Sequence, residues 1–264
     1  MKKVVLIVFC LFTSIALFSQ KDSVVNYLDR SYKKVEREQA TYIQTVVKKD
    51  SLWLATLFHG NGKMKFRGFF KDEKLKTRVG VFKRFNEKGK LISVQKYNFK
   101  GKKDGVYLYF NDEGNNVTAG LYSKGEREGV WKYTDNENNK RARIVFKEGK
   151  VVDYKLWNKE GNILDEKLIL QRRPQFKKGI KRFNSELKRN LVNGLIKDGL
   201  KTNFLLKFNI DENGKVQDIV LSHKLNPVFE QKIRNYFKSL EGLEPAIVAN
   251  IKVKFPMEIP FIFN

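Results

Sequence analysis

The sequence predicts a mainly β chain with an α+β tail: an antiparallel β-hairpin repeat array, then a small two-layer α+β domain of order α-β-β-α-β. Three observations lead there. Glycines recur every 24 or 25 residues between positions 80 and 149. The runs between them are short, rich in aromatic and β-branched residues, and end in Asn/Asp/Gly turns. After Gly161 that pattern stops, and helix-period segments flank a hairpin instead.

The first element is an address. Met1-Lys2-Lys3 is basic, Val4 to Phe18 is an uncharged, mostly apolar run, and Ser19-Gln20 precedes Lys21-Asp22. This is the layout of a secretory signal peptide over residues 1–20. A membrane-spanning helix takes ~20 apolar residues, so cleavage after Ser19 or Gln20 is expected. The alternative is a retained anchor in the inner membrane, facing the periplasm. Cys10 is the one cysteine, so cleavage leaves a mature chain without thiols, suited to an oxidising compartment. Residues 21–39 read as a polar lead-in, loosely helical or extended.

The repeat array is expected over residues 40–168. Ala40 to Val47 and Leu52 to Phe58 read as capping strands. Gly80, Gly105 and Gly129 are each followed two positions later by an aromatic: Phe82, Tyr107 and Trp131. Gly101, Gly125 and Gly149 repeat every 24 residues. Turns follow at Asn86-Glu87-Lys88-Gly89, Asn111-Asp112-Glu113-Gly114 and Asp135-Asn136-Glu137-Asn138. Each unit is two strands and two turns, the glycines supplying positive φ at the turns and close strand approach. A single hairpin cannot bury its aromatic face, so the units must stack. The run Lys102-Lys103-Asp104-Gly105-Val106-Tyr107-Leu108-Tyr109-Phe110-Asn111-Asp112-Glu113-Gly114, echoed by Glu126-Arg127-Glu128-Gly129-Val130-Trp131-Lys132-Tyr133, resembles MORN-type repeats, closest to their bacterial antitoxin-like variant. The resemblance covers roughly residues 60–165 and implies a scaffold or binding surface, one that contacts lipid in some relatives.

Gln171-Arg172-Arg173-Pro174 marks the junction to a second domain over residues 171–264. Ile180, Phe183, Leu187, Leu191 and Leu195 predict an amphipathic helix within Phe176 to Leu195. Asn203 to Ile210 and Lys215 to Ser222 predict strands around the turn Asp211-Glu212-Asn213-Gly214. Pro227 opens a second helix, and a last strand is expected from about Val248 to Phe263. Pro174-Gln175-Phe176, Phe208 to Val216, Glu244-Pro245-Ala246 and Phe255 to Phe261 resemble the TonB C-terminal domain. The resemblance implies a periplasmic module that binds an extended peptide by adding a strand to its sheet edge. In that family the last strand offers the edge, which here begins Ile251-Lys252-Val253-Lys254-Phe255. Three features depart from the family pattern. Leu191-Val192-Asn193-Gly194-Leu195 replaces the aromatic-proline step, Leu243 stands for the usual Trp, and no Pro-rich spacer is present.

Composition removes most enzymology. His59 and His223 fall in different domains, so no multi-His metal site is expected. Asp211-Glu212-Asn213-Gly214 begins like a calcium loop, but Lys215 and Val216 occupy the positions that need a ligand and a glycine. No nucleophile elbow, phosphate loop or dinucleotide fingerprint occurs. The expectation is a non-enzymatic, cofactor-free binding protein of the cell envelope, linked through its TonB-like domain to transport. Its expected partners are an envelope protein such as an outer-membrane receptor, an anionic envelope surface, or a second copy in a homodimer, and not nucleic acid. Formal charge is +24, of which residues 171–264 carry +9, so the charge reads as spread rather than patched.

Overall fold

A computed structural model describes residues 23–263. The expected signal segment lies outside them. About 50% of the chain is strand and 14% helix, because hairpin turns and β-branched runs recur through the first 160 residues.

Twelve consecutive strands form one antiparallel meander. They are β1 (Ser23–Leu28), β2 (Tyr42–Lys49), β3 (Leu52–His59), β4 (Met64–Phe70), β5 (Arg78–Phe85), β6 (Leu91–Tyr97), β7 (Lys103–Phe110), β8 (Asn116–Ser123), β9 (Glu126–Thr134), β10 (Lys140–Lys147), β11 (Lys150–Trp157) and β12 (Ile163–Leu164). The sheet starts earlier than expected. Part of the polar lead-in is β1, registered from Ser23 opposite Val47 to Leu28 opposite Tyr42. Leu28 is buried, and its pairing supplies the stability that the segment's composition lacks. Residues 33–35 fold back on the outer side of β1, where Val35 N donates to Tyr27 O.

The repeat glycines do two jobs. Gly101, Gly125 and Gly149 are turn residues at φ 75°, 103° and 76°. Gly80, Gly105 and Gly129 instead sit inside strands, at φ 71°, 93° and 65°. At each of these three the register slips, so that three residues of one strand face a single residue of the strand before it. These are β-bulges, and left-handed backbone there favours glycine. Each bulge re-aims the aromatic two residues on. Phe82 then lies over Gly68 and Trp131 over Gly120, both approaches closed to any side chain with a Cβ. Trp131 is 1% exposed and its indole N–H donates to Leu121 O at 3.1 Å. Tyr107, Tyr122 and Phe146 pack around it at 5.1–5.9 Å between ring centres. One face of the array is thus an aromatic core, while Val81, Val106, Leu121 and Val130 are exposed. At one end of the strands successive turns are tied together: Asn61 Nδ2 donates to Glu87 O, Asn86 Nδ2 to Asp112 Oδ1 and Asn115 Nδ2 to Asn136 O.

The chain divides into two compact units. One holds the described residues up to Asn138 with Ile144–Asp153; the other holds Asn139–Arg143 and everything from Tyr154 onward. In the second unit β15 (Phe204–Ile210) is the centre of a three-stranded sheet ordered β16-β15-β20, with β16 (Val216–Leu221) and β20 (Phe255–Phe261). Helices α1 (Ile180–Leu187), α2 (Asn193–Lys197) and α3 (Pro227–Lys238) accompany it. Leu191, Leu195, Ile233 and Phe237 share a core with Phe204, Leu206, Phe208 and Phe261. The predicted first helix is not one continuous α-helix. A π-helical turn, Lys188–Val192, interrupts it, and Ile180 is 60% exposed. Leu191 and Leu195 remain buried in the core across this wider turn, with Leu187 partly buried against it. Asn226 caps α3, its side chain accepting from Val228 N at 2.9 Å, with Pro227 at the first helical position. Short pairings complete the unit: β14 (Gln175–Phe176) with β17 (Leu243–Glu244), and β13 (Gln171–Arg172) with β18 (Ala246–Val248), which also pairs β19 (Ile251–Val253).

Candidate functional site

Ile251, Lys252, Val253, Lys254 and Phe255 do not form one strand. Ile251–Val253 is β19 and pairs β18, Lys254 lies between strands, and Phe255 opens β20, which pairs β15. The expected single last strand is therefore split between two sheets. Ile251 is buried, Val253 and Phe255 are half-buried, and Lys252 and Lys254 are exposed. Ala249 and Asn250 both have positive φ, giving the two-residue turn that closes the β18–β19 hairpin. Val248 and Ile251 are then the hydrogen-bonded pair, and the N–H and C=O of Lys252 point away from β18. Lys254 is committed elsewhere: its Nζ binds Asp218 Oδ2 at 2.7 Å.

The edge of β20 is blunted. Leu205 bonds across to Ser222 beyond β16, so the odd-numbered residues of β15 face that side. Their partners on β20, Pro260, Glu258 and Pro256, therefore turn their main chain outward. Two of the three lack an N–H. Prolines with this orientation protect an edge strand from pairing.

The stronger concentration of chemistry is at one end of the array. In an antiparallel meander alternate turns lie at the same end. The segments 48–51, 71–77, 98–102, 123–126 and 147–150 share one rim and carry ten lysines against five acids, net +5. The hairpin turns 59–63, 86–90, 111–115 and 135–138 share the other, with three lysines against five acids, net −2; the β1–β2 loop there, 29–41, adds only +1. Same-end turns recur every two strands, about 10 Å. Gly125 N donates to Lys103 O and Gly149 N to Arg127 O, which fastens consecutive basic turns. Asp72, one of the five acids, accepts from Lys76 N and Thr77 N; these backbone N–H groups hold its carboxyl below its ordinary range. At the tip of the central turn stands Phe99, 71% exposed. Asn98 Oδ1 accepts from Lys100 N and Lys102 N, so the turn that presents Phe99 is braced.

Below this rim a row of cations covers the aromatic core. Arg78 lies 5.5 Å from the Phe82 ring centre, Lys103 4.6 Å from Tyr122, and Arg127 4.9 Å from Trp131. Each stands two residues before a bulge glycine. That phase, Arg78, Lys103 and Arg127 at spacings of 25 and 24, is in the sequence and is the signal that would have found them. The rim itself has no local signal, because its lysines come from turns about 24 residues apart.

Asp211, which opens the calcium-like turn, is used structurally. Asp211 Oδ1 accepts from Asn213 N and Lys215 N, and its Oδ2 from Gln217 Nε2. Among the described residues no three His, Cys, Asp or Glu side chains gather to hold a metal. No protein-family model matches the chain, and no curated protein matches its sequence.

Proposed function

We propose that the protein is a non-enzymatic, exported envelope scaffold whose hairpin array docks by its basic rim on an anionic surface. One observation carries this: opposite ends of the same strands differ in charge, with turns of net +5 at one end against turns of net −2 and a β1–β2 loop of +1 at the other. Near an anionic surface each Lys contributes about 1 kcal/mol, so a rim of this charge outweighs the loss of orientational freedom that a single lysine cannot offset. The likeness of the array to MORN-type repeats, and the signal-like N-terminus that implies export to the periplasm, support the same reading. Extraction tests it. Native protein in an envelope fraction should be released by molar salt, which shortens the screening length to about 3 Å. Protein that stays with the pellet through the salt wash, and leaves it only with detergent, would sink the docking reading.

A second reading rests on Lys252. Its main chain points out of the β18–β19 hairpin and its side chain is exposed, which suits capture of an extended peptide by strand addition. The TonB-like motifs support this and suggest an outer-membrane receptor as the partner. A pull-down from envelope extract with the Lys252→Pro variant tests it: loss of a captured receptor, with helix content unchanged, is expected.

A further inference from the structure

Resting on the docking reading above, we infer that the anionic surface is a lipid bilayer and that Phe99 enters it. Lysines alone would suit any polyanion. What separates a bilayer from a soluble polyanion is a place for apolar surface, and the basic rim carries apolar surface at its tip. Phe99 is the most exposed of the large hydrophobic side chains of the array, at 71%. It stands between Lys96 on one side and Lys100 and Lys102 on the other, all exposed. An aromatic ring set among lysines is the arrangement that partitions to the headgroup boundary of an anionic membrane. The turn that presents the ring is held in place: Asn98 Oδ1 accepts from Lys100 N and Lys102 N, and Asn98 Nδ2 donates to Asp104 Oδ2. The flanking turns bring Lys74 and Lys76 on one side and Lys124 on the other, about 10 Å away in each direction. Phe99 is therefore presented at the middle of a cationic line.

The hairpin turns of the opposite rim supply the contrast. They carry Glu87, Asp112, Glu113, Asp135 and Glu137, and no exposed large hydrophobic side chain. The β1–β2 loop at that end does carry Tyr32, 54% exposed, but its ring is stacked on Tyr42 at 5.2 Å and is held against the sheet. The exposed aliphatic residues on the open face of the sheet, Val81 and Val106 among them, are 45% and 47% accessible. They lie along the strands and not at a tip, so the rim engages a flat bilayer without them.

Full-length protein lacking the signal segment is mixed with vesicles of pure phosphatidylcholine, with vesicles containing phosphatidylglycerol, and with soluble polyphosphate. Co-sedimentation with the anionic vesicles is expected, falling steeply with salt, with none on the neutral vesicles. Lys100→Glu/Lys102→Glu should weaken binding by at least about tenfold. Lys63→Glu/Lys88→Glu makes the same change in net charge on the opposite rim and should alter binding less than about twofold by the same reasoning. Equal losses from the two pairs would overturn the rim as the site. Phe99→Ser should weaken vesicle binding while leaving polyphosphate binding unchanged. In Phe99→Trp, the fluorescence difference from the parent should shift to the blue on anionic vesicles and not on polyphosphate. Binding to both probes with no blue shift would defeat the bilayer inference and leave the docking reading intact. Binding to neither would defeat both. Circular dichroism of each variant separates these outcomes from misfolding.

Discussion

At the residue scale, the array depends on pairs made of a glycine and a ring. A Cβ at Gly120 would lie 2.2 Å from a Trp131 ring carbon, and one at Gly68 2.5 Å from Phe82. Trp131→Ala removes the largest fully buried side chain and should cost ~3–5 kcal/mol, read as a large fall in melting temperature. Gly120→Ala should cost about 1–3 kcal/mol by overpacking, because the Trp131 ring or the β8 backbone must shift to admit the methyl group. A melting curve unchanged by either would show that the ring does not lean on the glycine. Tyr107 and Tyr133 provide a second residue-level check. Burial pushes both phenols up to about 12 from 10.0. The fold therefore favours the neutral phenol. The stability it gains is fully present below pH 10 and is lost as pH climbs from 10 through 12. An ultraviolet titration should show these two tyrosines ionising late, together with unfolding; ionisation of all ten tyrosines near pH 10 in folded protein would contradict their burial.

At the scale of elements, edges decide what each sheet can join. The outward main chain of β20 has its donors removed at Pro256 and Pro260, so this edge is a poor acceptor of an added strand, whereas the main chain of Lys252 keeps its outward N–H. Pro256→Val/Pro260→Val restores two outward N–H groups. The variant should self-associate with concentration in light scattering, as an unprotected edge does. A variant as monodisperse as the parent would mean that the prolines are not what guards this edge. Lys252→Pro acts in the opposite sense. It removes an outward N–H without touching the core shared by α3 and β15, so the circular dichroism of the helices should persist while any partner held by strand addition is lost. The π turn at Lys188–Val192 belongs to this scale too. It is not legible in the sequence, because four-residue spacing reads as plain α-helix, and the structure keeps Leu191 at 4% and Leu195 at 1% exposure across it.

At the scale of the whole molecule, the array sorts charge that the chain distributes. Salt-dependent docking follows from a rim of net +5, and the whole chain at +24 has no tendency to self-associate through its charge. Export is the other whole-molecule expectation. The mature protein should begin near Gln20 or Lys21, and N-terminal sequencing of native protein checks it. An intact Met1 in the inner-membrane fraction would replace the exported soluble form with an anchored one.

The sequence by itself determined the hairpin period, the aromatic core residue Trp131 and the α+β order of the C-terminal unit. Each is written in neighbours a few residues apart: glycine, aromatic and turn residues at fixed offsets, or apolar residues at helical spacing. Tertiary structure decided what depends on partners distant in the chain. The lead-in became β1 because β2 was there to pair with it. Gly80, Gly105 and Gly129 became bulges because the neighbouring strand offers one residue where these offer three. The expected last strand broke at Lys254 because its two halves found different sheets. The basic rim, invisible as a charge run, exists because a meander returns every second turn to the same end, so lysines some 24 residues apart in sequence stand about 10 Å apart in space.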